Sequence, residues 1–298
     1  LTNIRLPAMA PQIELEFVFE NNMASVNVLI VNNSEKVCLE GRVADVFATP
    51  AYQLHCSLKE MNVGNWIPEN RFVGRVSGHF NVDGRGNNPE TMVATIKGNL
   101  TGTPAKTSLL RTMSINGRWQ RNSAKADVKV SGVAGQVDAQ VTLAQISKNP
   151  VYSAVVSVRH LDLFPIVHDS AYQSDIQLEA VVKGKGFEFP AMQTDIDARL
   201  YSTTFSGYQV DSLNLALDFH HGDYSLRDFR LYTPYLQATI IGAGDLTSLK
   251  VADVQLILGE LNQLPPVAGQ NIEARGNISL QAHGPFDSLA TNLFIDVR

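Results

Sequence analysis

Histidine is the residue best suited to metal binding or proton transfer near neutral pH, and this chain contains seven. His220 and His221 are adjacent, so in a strand their side chains point to opposite faces and cannot easily share one metal ion. His55, His79 and His160 each stand alone among alternating residues, without a repeated carboxylate or cysteine partner. The histidines therefore predict a solvated turn at 220–221 and no metal or catalytic centre.

Two glycine motifs have the general form of a phosphate-binding loop. Residues 82–86 read Val-Asp-Gly-Arg-Gly, and residues 182–186 read Val-Lys-Gly-Lys-Gly. A dinucleotide site needs G-x-G-x-x-G at the start of a helix, and no helical pattern follows either motif. Because glycine tolerates positive φ, we expect tight connections between strands instead.

Nothing in the sequence favours an enzyme. No G-x-S-x-G motif is present, although distant residues can assemble a catalytic triad. The two cysteines, Cys38 and Cys56, lack the spacing of metal ligands. They are consistent either with small buried side chains or with a disulfide, which an oxidising compartment would permit. We expect no enzymatic activity, no metal and no cofactor.

Composition limits the classes of partner. The formal net charge is −5, from 24 Lys and Arg against 29 Asp and Glu, and both signs are scattered along the 298 residues. Without a basic stripe to neutralise phosphates, nucleic acid is not expected as a partner. Apolar residues make up 44% of the chain, yet no apolar run approaches the roughly 20 residues that span a bilayer. The chain begins with Leu1 and ends in a strand pattern, which predicts a segment of a longer protein.

Alternation of apolar and polar residues with a period of two dominates the sequence. It is clear at 137–143, 176–182, 213–219 and 278–283, and it places apolar side chains on one face of a strand. About fifteen such segments, separated by turn residues, predict an all-β, mostly antiparallel fold. Two arrangements stay open: a β-sandwich with a closed core, or one curled sheet whose apolar face lines a groove. Periodicity taken alone favours the closed core.

The chain also resembles itself at an offset of 100 residues. Tyr52 aligns with Tyr152, and Gly84 aligns with Gly184 and Gly284. A period of this length predicts a repeating unit of several strands, with the three glycines in equivalent turns.

The expected organisation is one continuous domain containing parts of four repeats. These are the end of a preceding repeat at 1–49, full repeats at 50–149 and 150–249, and the start of a further repeat at 250–298. Because no linker composition occurs near 145–150 or 245–250, we expect the sheet to continue across both borders.

The repeated motifs resemble the AsmA/TamB superfamily of bacterial envelope proteins. The pattern L-x-x-L-D-L is followed by G-x-V-x-G-x-F-x-V-x-G-x-G, with copies at 56–102, 156–202 and 256–297. The resemblance implies an elongated, curled, mostly antiparallel sheet, the β-taco or repeating β-groove, with an apolar concave face and a repeat of about 100 residues. It also implies a location in the periplasm, within a parent chain anchored in the inner membrane.

The function implied by this resemblance is a groove that shields and conducts phospholipid between the inner and outer membranes. Its partners would be phospholipid acyl chains. The alternatives are a chaperone or scaffold that works with outer-membrane assembly proteins, and a tandem of immunoglobulin-like adhesin domains of about 100 residues each. The expected lining of the groove consists of Phe80, Val82, Ile96, Leu100, Val141, Leu143, Val156, Val158, Ile176, Leu178, Leu213, Leu215, Leu217, Leu256, Leu258, Ile278 and Leu280.

Overall fold

The structure is a computed structural model that describes residues 11–62, 74–103, 110–188, 191–245, 247–259 and 276–297. The chain divides into two compact units, Leu1–Lys148 and Asn149–Arg298. Strands account for nearly all of the described secondary structure, so the predicted all-β class is confirmed. No helix among the described residues is long and apolar enough to cross a membrane.

The first unit is a meander of nine strands. They are β1 (Gln12–Glu20), β2 (Met23–Asn32), β3 (Glu35–Ala44), β4 (Ala51–Asn62), β5 (Arg75–Arg85), β6 (Val93–Gly102), β7 (Thr112–Gln120), β8 (Ser123–Gly132) and β9 (Gly135–Ala144). Each strand pairs antiparallel with the next along the chain.

The second unit repeats this organisation with nine further strands. They are β10 (Val151–Leu161), β11 (Ser174–Lys185), β12 (Gln193–Phe205), β13 (Tyr208–His220), β14 (Asp223–Tyr232), β15 (Leu236–Asp245), β16 (Ser248–Leu258), β17 (Gly276–Pro285) and β18 (Ala290–Val297). Each again pairs antiparallel with the next. Between β10 and β11 lie a short helix, α1 (Phe164–Val167), and one turn of 3-10 helix at Ser170–Tyr172.

Tight turns with positive φ explain why consecutive strands pair. The two residues between β1 and β2, Asn21 and Asn22, have φ of 49° and 60°. His221 and Gly222, between β13 and β14, have φ of 51° and 90°. Two central residues with positive φ form the turn whose twist matches that of a hairpin, and asparagine and glycine adopt this conformation most readily. The turn predicted at 220–221 is therefore found at His221 and Gly222, and His220 is the last residue of β13.

The pairing tests one of the two predicted sheet continuations. Around 245–250, β15 pairs with β16 from Leu236↔Leu258 to Gly244↔Leu249, so the sheet continues there as predicted. The border at 145–150 coincides with the division between the two units, and continuity across it stays a prediction. Each unit is a single sheet in sequential order, which differs from the two packed sheets of an immunoglobulin fold.

Strand positions recur at an offset of 100 residues. The strands β2 and β3 span 23–32 and 35–44, and β8 and β9 span 123–132 and 135–144. Positive φ recurs in the same way, at Glu60 (51°) and at His160 (50°), each beside a shift of register in its strand. The backbone therefore places the same irregularity at the same point of β4 and β10.

Few apolar side chains are buried. Among the described residues, the buried apolar residues are Val76, Ala134, Val158, Tyr235, Ala238 and Ala282, and no large side chain is fully enclosed. A closed sandwich core would enclose many Leu, Ile and Phe side chains. The closed core that periodicity alone favours is therefore not seen within the described parts of either unit.

Candidate functional site

Cross-strand pairing aligns the apolar side chains of the first unit into four rows, each with one residue from every strand of the unit. Row one is Phe19, Ala24, Val43, Tyr52, Gly84, Ala94, Trp119, Ala124 and Leu143. Row two is Phe17, Val26, Gly41, Leu54, Val82, Ile96, Gly117, Ala126 and Val141. Row three is Leu15, Val28, Leu39, Cys56, Phe80, Gly98, Ile115, Val128 and Ala139. Row four is Ile13, Ile30, Val37, Leu58, Gly78, Leu100, Met113, Val130 and Val137. None of these positions holds a charged residue, an amide, a serine or a threonine.

The opposite side of the same sheet is mostly polar. Its central row is Glu16, Asn27, Glu40, His55, Asn81, Lys97, Asn116, Asp127 and Gln140. Successive side chains of a strand point to opposite sides, so this row lies behind rows two and three. The sheet of the first unit therefore separates one apolar side from one hydrated side.

The second unit has equivalent rows. Its row one is Tyr152, Gly184, Thr194, Phe219, Tyr224, Gly244, Leu249 and Gly284. Its row two is Ala154, Val182, Ile196, Leu217, Leu226, Gly242, Ala252, Ala282 and Thr291. Row three begins with Val156, Ala180, Ala198, Leu215 and Phe229, and continues on the later strands with Val254, Leu280 and Leu293. Row four is Val158, Leu178, Leu200, Leu213, Leu231, Ala238, Leu256, Ile278 and Ile295. Within these rows, Thr194 and Thr291 are the residues with an aliphatic hydroxyl group, and the Thr194 hydroxyl is hydrogen-bonded to that of Tyr152.

Register places every predicted lining residue on the apolar side of its sheet. Val82, for example, lies opposite Leu54 and Ile96. Ile176 and Leu258 continue the apolar side beyond row four, since each is two residues from a row-four leucine in its strand. The sequence analysis missed the apolar side chains of β1, although 13–19 carry the same alternation. It also missed the glycines inside the rows.

Glycines inside the rows make room for large neighbours. A Cβ atom at Gly98 would lie 2.1 Å from the ring of Phe80 on the adjacent strand, and one at Gly117 would lie 2.6 Å from Ile96. Real Cβ atoms do not approach so closely. These glycines therefore leave space into which the bulky side chain of the neighbouring strand can extend. The large side chain fills the space that a Cβ atom would occupy.

The repeated glycines Gly84 and Gly184 have the same role in row one. Each lies inside a strand, directly opposite Tyr52 or Tyr152. A Cβ at Gly84 would lie 2.6 Å from the Tyr52 ring, and one at Gly184 would lie 2.5 Å from the ring of Tyr152. The prediction that these glycines form turns is therefore wrong, because both lie within strands. Their role is to leave space that a tyrosine fills.

Gly284 differs from its two sequence counterparts. It has a φ of 114° and lies opposite Leu249, not opposite an aromatic residue. The turn geometry predicted for the motif belongs instead to its second glycine. Gly86 (φ 89°) and Gly186 (φ 75°) each donate a backbone hydrogen bond to a proline carbonyl 36 residues earlier, Pro50 at 2.7 Å and Pro150 at 2.8 Å.

The two cysteines are free thiols on opposite sides of the first sheet. Cys56 lies in row three opposite Leu39 and Phe80, whereas Cys38 lies on the polar side opposite Leu29 and Ser57. A disulfide needs Cβ atoms that point toward each other, so the possibility of a bridge is excluded in this arrangement. Burial, more than the neighbouring Cys38, raises the pKa of the Cys56 thiol.

Histidines have more partners than the sequence analysis predicts. His160 Nδ1 lies 3.0 Å from Asp175 Oδ1, so it does not stand alone. On the polar side of the second unit, His220, Asp195 and Asp218 hold their ligand atoms within 4.8 Å of one another. Sequence reasoning missed this group, since Asp195 is brought in by strand pairing.

Arg227 forms an ion pair with Asp218, one of the two carboxylates of that group. Its guanidinium donates to Asp218 over 2.5 Å and lies 3.7 Å from Asp197. The hydrogen bond to Asp218 raises the pKa of the Arg227 guanidinium. A cation already present beside two carboxylates relieves their repulsion across the strands. The group is therefore explained as an ion-pair cluster on a hydrated surface.

The depressions described in the first unit lie mainly among polar side chains. One of about 420 Å³ is lined by residues that include Glu16, Asn27, Glu40, Arg42 and His55. Another, of about 490 Å³, is lined by residues that include Asn99, Ser114, Lys129 and Asp138. Charges of both signs occur in both linings, and the second lining also includes Leu100, Met113 and Val130 of row four. The apolar rows form a surface rather than an enclosed pocket.

Comparison with known proteins gives no assignment for the chain: no family model, no curated protein and no solved structure matches it.

Proposed function

We propose that this chain is a segment of a periplasmic lipid-binding groove that shields phospholipid and conducts it between the inner and outer membranes. The observation that carries the proposal is the set of apolar rows. They cross the nine strands of the first unit, whose reverse side is mostly polar, and they continue over the strands of the second unit. Within the described residues of each unit no second sheet covers the apolar side, which leaves a large area that an apolar guest can cover favourably.

The dimensions of the rows suit an acyl chain lying along the strands. In β7, rows one and four are marked by Trp119 and Met113, six residues apart, which corresponds to about 20 Å. One leaflet of a bilayer has a hydrocarbon thickness of about 15 Å. Each methylene removed from water contributes about 0.8 kcal/mol, so an acyl chain covered along this length is strongly stabilised.

The absence of hydroxyl, amide and charged side chains in rows two to four of the first unit supports conduction in preference to fixed binding. A pocket that holds one ligand places a few polar groups to orient it. Rows two to four of the first unit instead offer Val, Leu, Ile, Ala, Gly and Phe with one Met and one Cys. A guest that contacts similar apolar side chains at each successive strand has no strongly preferred binding position along the sheet.

The finer architecture belongs to the same proposal. The recurrence of strand bounds and positive-φ residues at an offset of 100 supports a repeat of that length. The apolar side would be the concave side of an elongated, curled sheet, as in the AsmA/TamB superfamily that the sequence resembles. The parent chain would then be anchored in the inner membrane. An unfolded strand of an outer-membrane protein is the alternative guest for the same rows.

The two native cysteines provide a matched test. Cys38→Ser leaves one thiol in row three, and Cys56→Ser leaves one thiol on the polar side. Each variant is labelled with a maleimide fluorophore whose emission shifts to the blue in apolar surroundings. Phospholipid vesicles, or a peptide from an outer-membrane β-strand, are then added.

We expect phospholipid to shift the emission of the label at Cys56 and not that of the label at Cys38. Equal shifts at the two positions, or no shift at Cys56, would contradict the proposal. A shift at Cys56 with the peptide but not with phospholipid would replace it by the chaperone alternative.

A further inference from the structure

Aromatic residues are unevenly distributed across the apolar rows. Row one contains Phe19, Tyr52 and Trp119 in the first unit and Tyr152, Phe219 and Tyr224 in the second. Row four contains no aromatic residue in either unit. The two long edges of each apolar side therefore differ in chemistry.

The polar atoms of the apolar sides are concentrated in row one as well. The Trp119 indole Nε1 donates to the Pro89 carbonyl over 3.1 Å, and the Tyr152 hydroxyl is paired with Thr194. In the first unit, rows two to four hold Phe as their only aromatic type and Cys56 as their only thiol. Among the residues of these rows, a side chain with an apolar ring and a polar tip thus occurs in row one only.

Glycines hold the tyrosines of row one in place. Tyr52, Tyr152 and Tyr224 lie across Gly84, Gly184 and Gly244 respectively, and a Cβ at any of these glycines would lie 2.5–2.6 Å from a tyrosine atom. This pairing occurs three times within one row. The tyrosines therefore lie flat along the edge and cannot be replaced by an arbitrary apolar residue without loss of the fit.

The aromatic residues elsewhere on the sheets agree with this division. Phe17, Phe80 and Phe229 occupy rows two and three but carry no polar atom. Phe205 and Tyr208 face each other beyond row four. By the alternation of β13, Tyr208 falls on the same side as Ser212, which is the polar side.

Tyrosine and tryptophan are suited to a boundary between hydrocarbon and water. Their rings bury apolar area, while the hydroxyl or indole N–H hydrogen-bonds to polar groups, which is why they form belts at membrane interfaces. Val, Leu, Ile, Met and Ala, together with a single Gly, make up row four in both units and offer no such boundary.

We propose that a phospholipid on these rows lies with its headgroup end at row one and its chain ends toward row four. The inference rests on the proposed function and adds a fixed orientation of the guest across the strands. It assigns Tyr52, Trp119, Tyr152 and Tyr224 as residues that position the ester and headgroup region of the lipid. Lipids moving along the groove would keep this orientation from strand to strand.

Tryptophan quenching by brominated phospholipid tests the orientation, because bromine quenches only at short range. The first probe is Trp119 in a Trp66→Phe background, which leaves row one of β7 as the only source of tryptophan emission. The second probe adds Trp119→Phe and Met113→Trp, which moves the emission to row four of the same strand. Phospholipids brominated either near the headgroup or near the chain end are added to each variant, and circular dichroism checks that each is folded.

We expect Trp119 to lose more emission with bromine near the headgroup, and the Met113→Trp probe to lose more with bromine near the chain end. Equal or reversed preferences at the two probes would overturn the orientation while leaving lipid binding intact. No quenching of either probe by any of the lipids would contradict both the orientation and the proposed function. If Met113→Trp does not fold, Leu100→Trp supplies the second probe, because Leu100 is the row-four neighbour of Met113.

Discussion

The ring of Tyr52 lies across Gly84 on the neighbouring strand, where a Cβ atom would approach it to 2.6 Å. Tyr152 and Gly184 repeat the arrangement exactly one hundred residues later in the sequence, with a Cβ approach of 2.5 Å. The two contacts are not energetically identical. At Gly184 the backbone carbonyl oxygen of Gln193 would also lie 2.5 Å from the added atom, whereas the three nearest atoms at Gly84 all belong to the tyrosine.

This difference predicts distinct outcomes for two alanine substitutions. Gly84→Ala and Gly184→Ala should each lower the free energy of unfolding by about 1–3 kcal/mol, as overpacking does. Removing the tyrosine should rescue only the first. Gly84→Ala should cost less in a Tyr52→Ala background, because the ring supplies the three atoms nearest to the added Cβ. Gly184→Ala should remain destabilising in a Tyr152→Ala background, because the carbonyl oxygen cannot move away without disturbing the strand.

Denaturant unfolding of the four variants and two double variants measures these couplings. Equal rescue at both positions would show that the packing of the two glycines has been misassigned.

Leu215 provides a test of the apolar side. It lies in row three between Ala198 and Phe229. Leu215→Asp should cost roughly 1–2 kcal/mol from lost burial, because a carboxylate on an open face can still be hydrated. The variant should therefore fold but bind no phospholipid.

The matched control is Asn214→Asp, which adds the same charge to the polar side of the same strand. Arg199 donates to Asn214 over 2.9 Å and would pair with the new carboxylate. Lipid binding, measured by flotation with vesicles, should be retained in this control. Retention in both variants would mean that the rows do not contact lipid.

Asp245 should make the second unit sensitive to acid. Its carboxylate accepts hydrogen bonds from the Thr247 hydroxyl at 2.6 Å, the Thr247 amide at 2.7 Å and the Ser248 amide at 2.9 Å, all in the connection from β15 to β16. These bonds, the Thr247 hydroxyl first, hold the pKa of Asp245 well below its usual value.

A lowered pKa in the folded state stabilises the protein above the ordinary pKa of an aspartate, and this contribution is lost as the pH falls below about 4. Asp245→Asn should lower the melting temperature at neutral pH and flatten its decline in acid. Thermal unfolding from pH 7 to pH 3 checks both effects. A variant with the same acid dependence as the parent protein would assign the sensitivity to other carboxyl groups.

The two thiols should react slowly with alkylating reagents. Burial raises the pKa of Cys56, and burial followed by the Glu40 carboxylate raises that of Cys38. Because the thiolate is the nucleophile, both should react more slowly than free cysteine at pH 8. Above the ordinary thiol pKa, the unfolded chain ionises first, so the thiols should also make folding less stable at alkaline pH.

Lipid should distinguish the two thiols. Rates of iodoacetamide labelling, followed by intact mass, should fall at Cys56 when phospholipid is added and stay unchanged at Cys38. A fall of equal size at Cys38 would place lipid on both sides of the sheet.

Alternation made the strand class accessible from the sequence, and it predicts which side chains share one side of a strand. A residue such as Leu215 shows its side through its neighbours Asn214 and Ala216 without any knowledge of pairing. The similarity at an offset of 100 residues identified Gly84 and Gly184 as equivalent positions, but the turns predicted for them are wrong. Their partners, Tyr52 and Tyr152, become visible only through register, which is a long-range property of the sheet.

The chemistry of the two edges was hidden for the same reason. Trp119 and Tyr52 lie 67 residues apart in the sequence, and pairing through Ala94 and Gly84 brings them into one row. The cluster of Asp195, Asp218 and His220 is likewise created by the pairing of β12 with β13. Period-two patterns assign sides of strands, but they contain no information on which residues meet across a sheet.

Adjacent positions in β13 provide the sharpest test of the proposal that the apolar side of the sheet holds phospholipid. A photo-crosslinking amino acid is introduced at Leu215 or, in a second variant, at Asn214, and each purified chain is irradiated with phospholipid vesicles. Intact mass spectrometry then measures the covalent adducts. We expect phospholipid adducts at position 215 and none above background at position 214. Equal capture at the two positions, or no capture at position 215, would contradict the proposal.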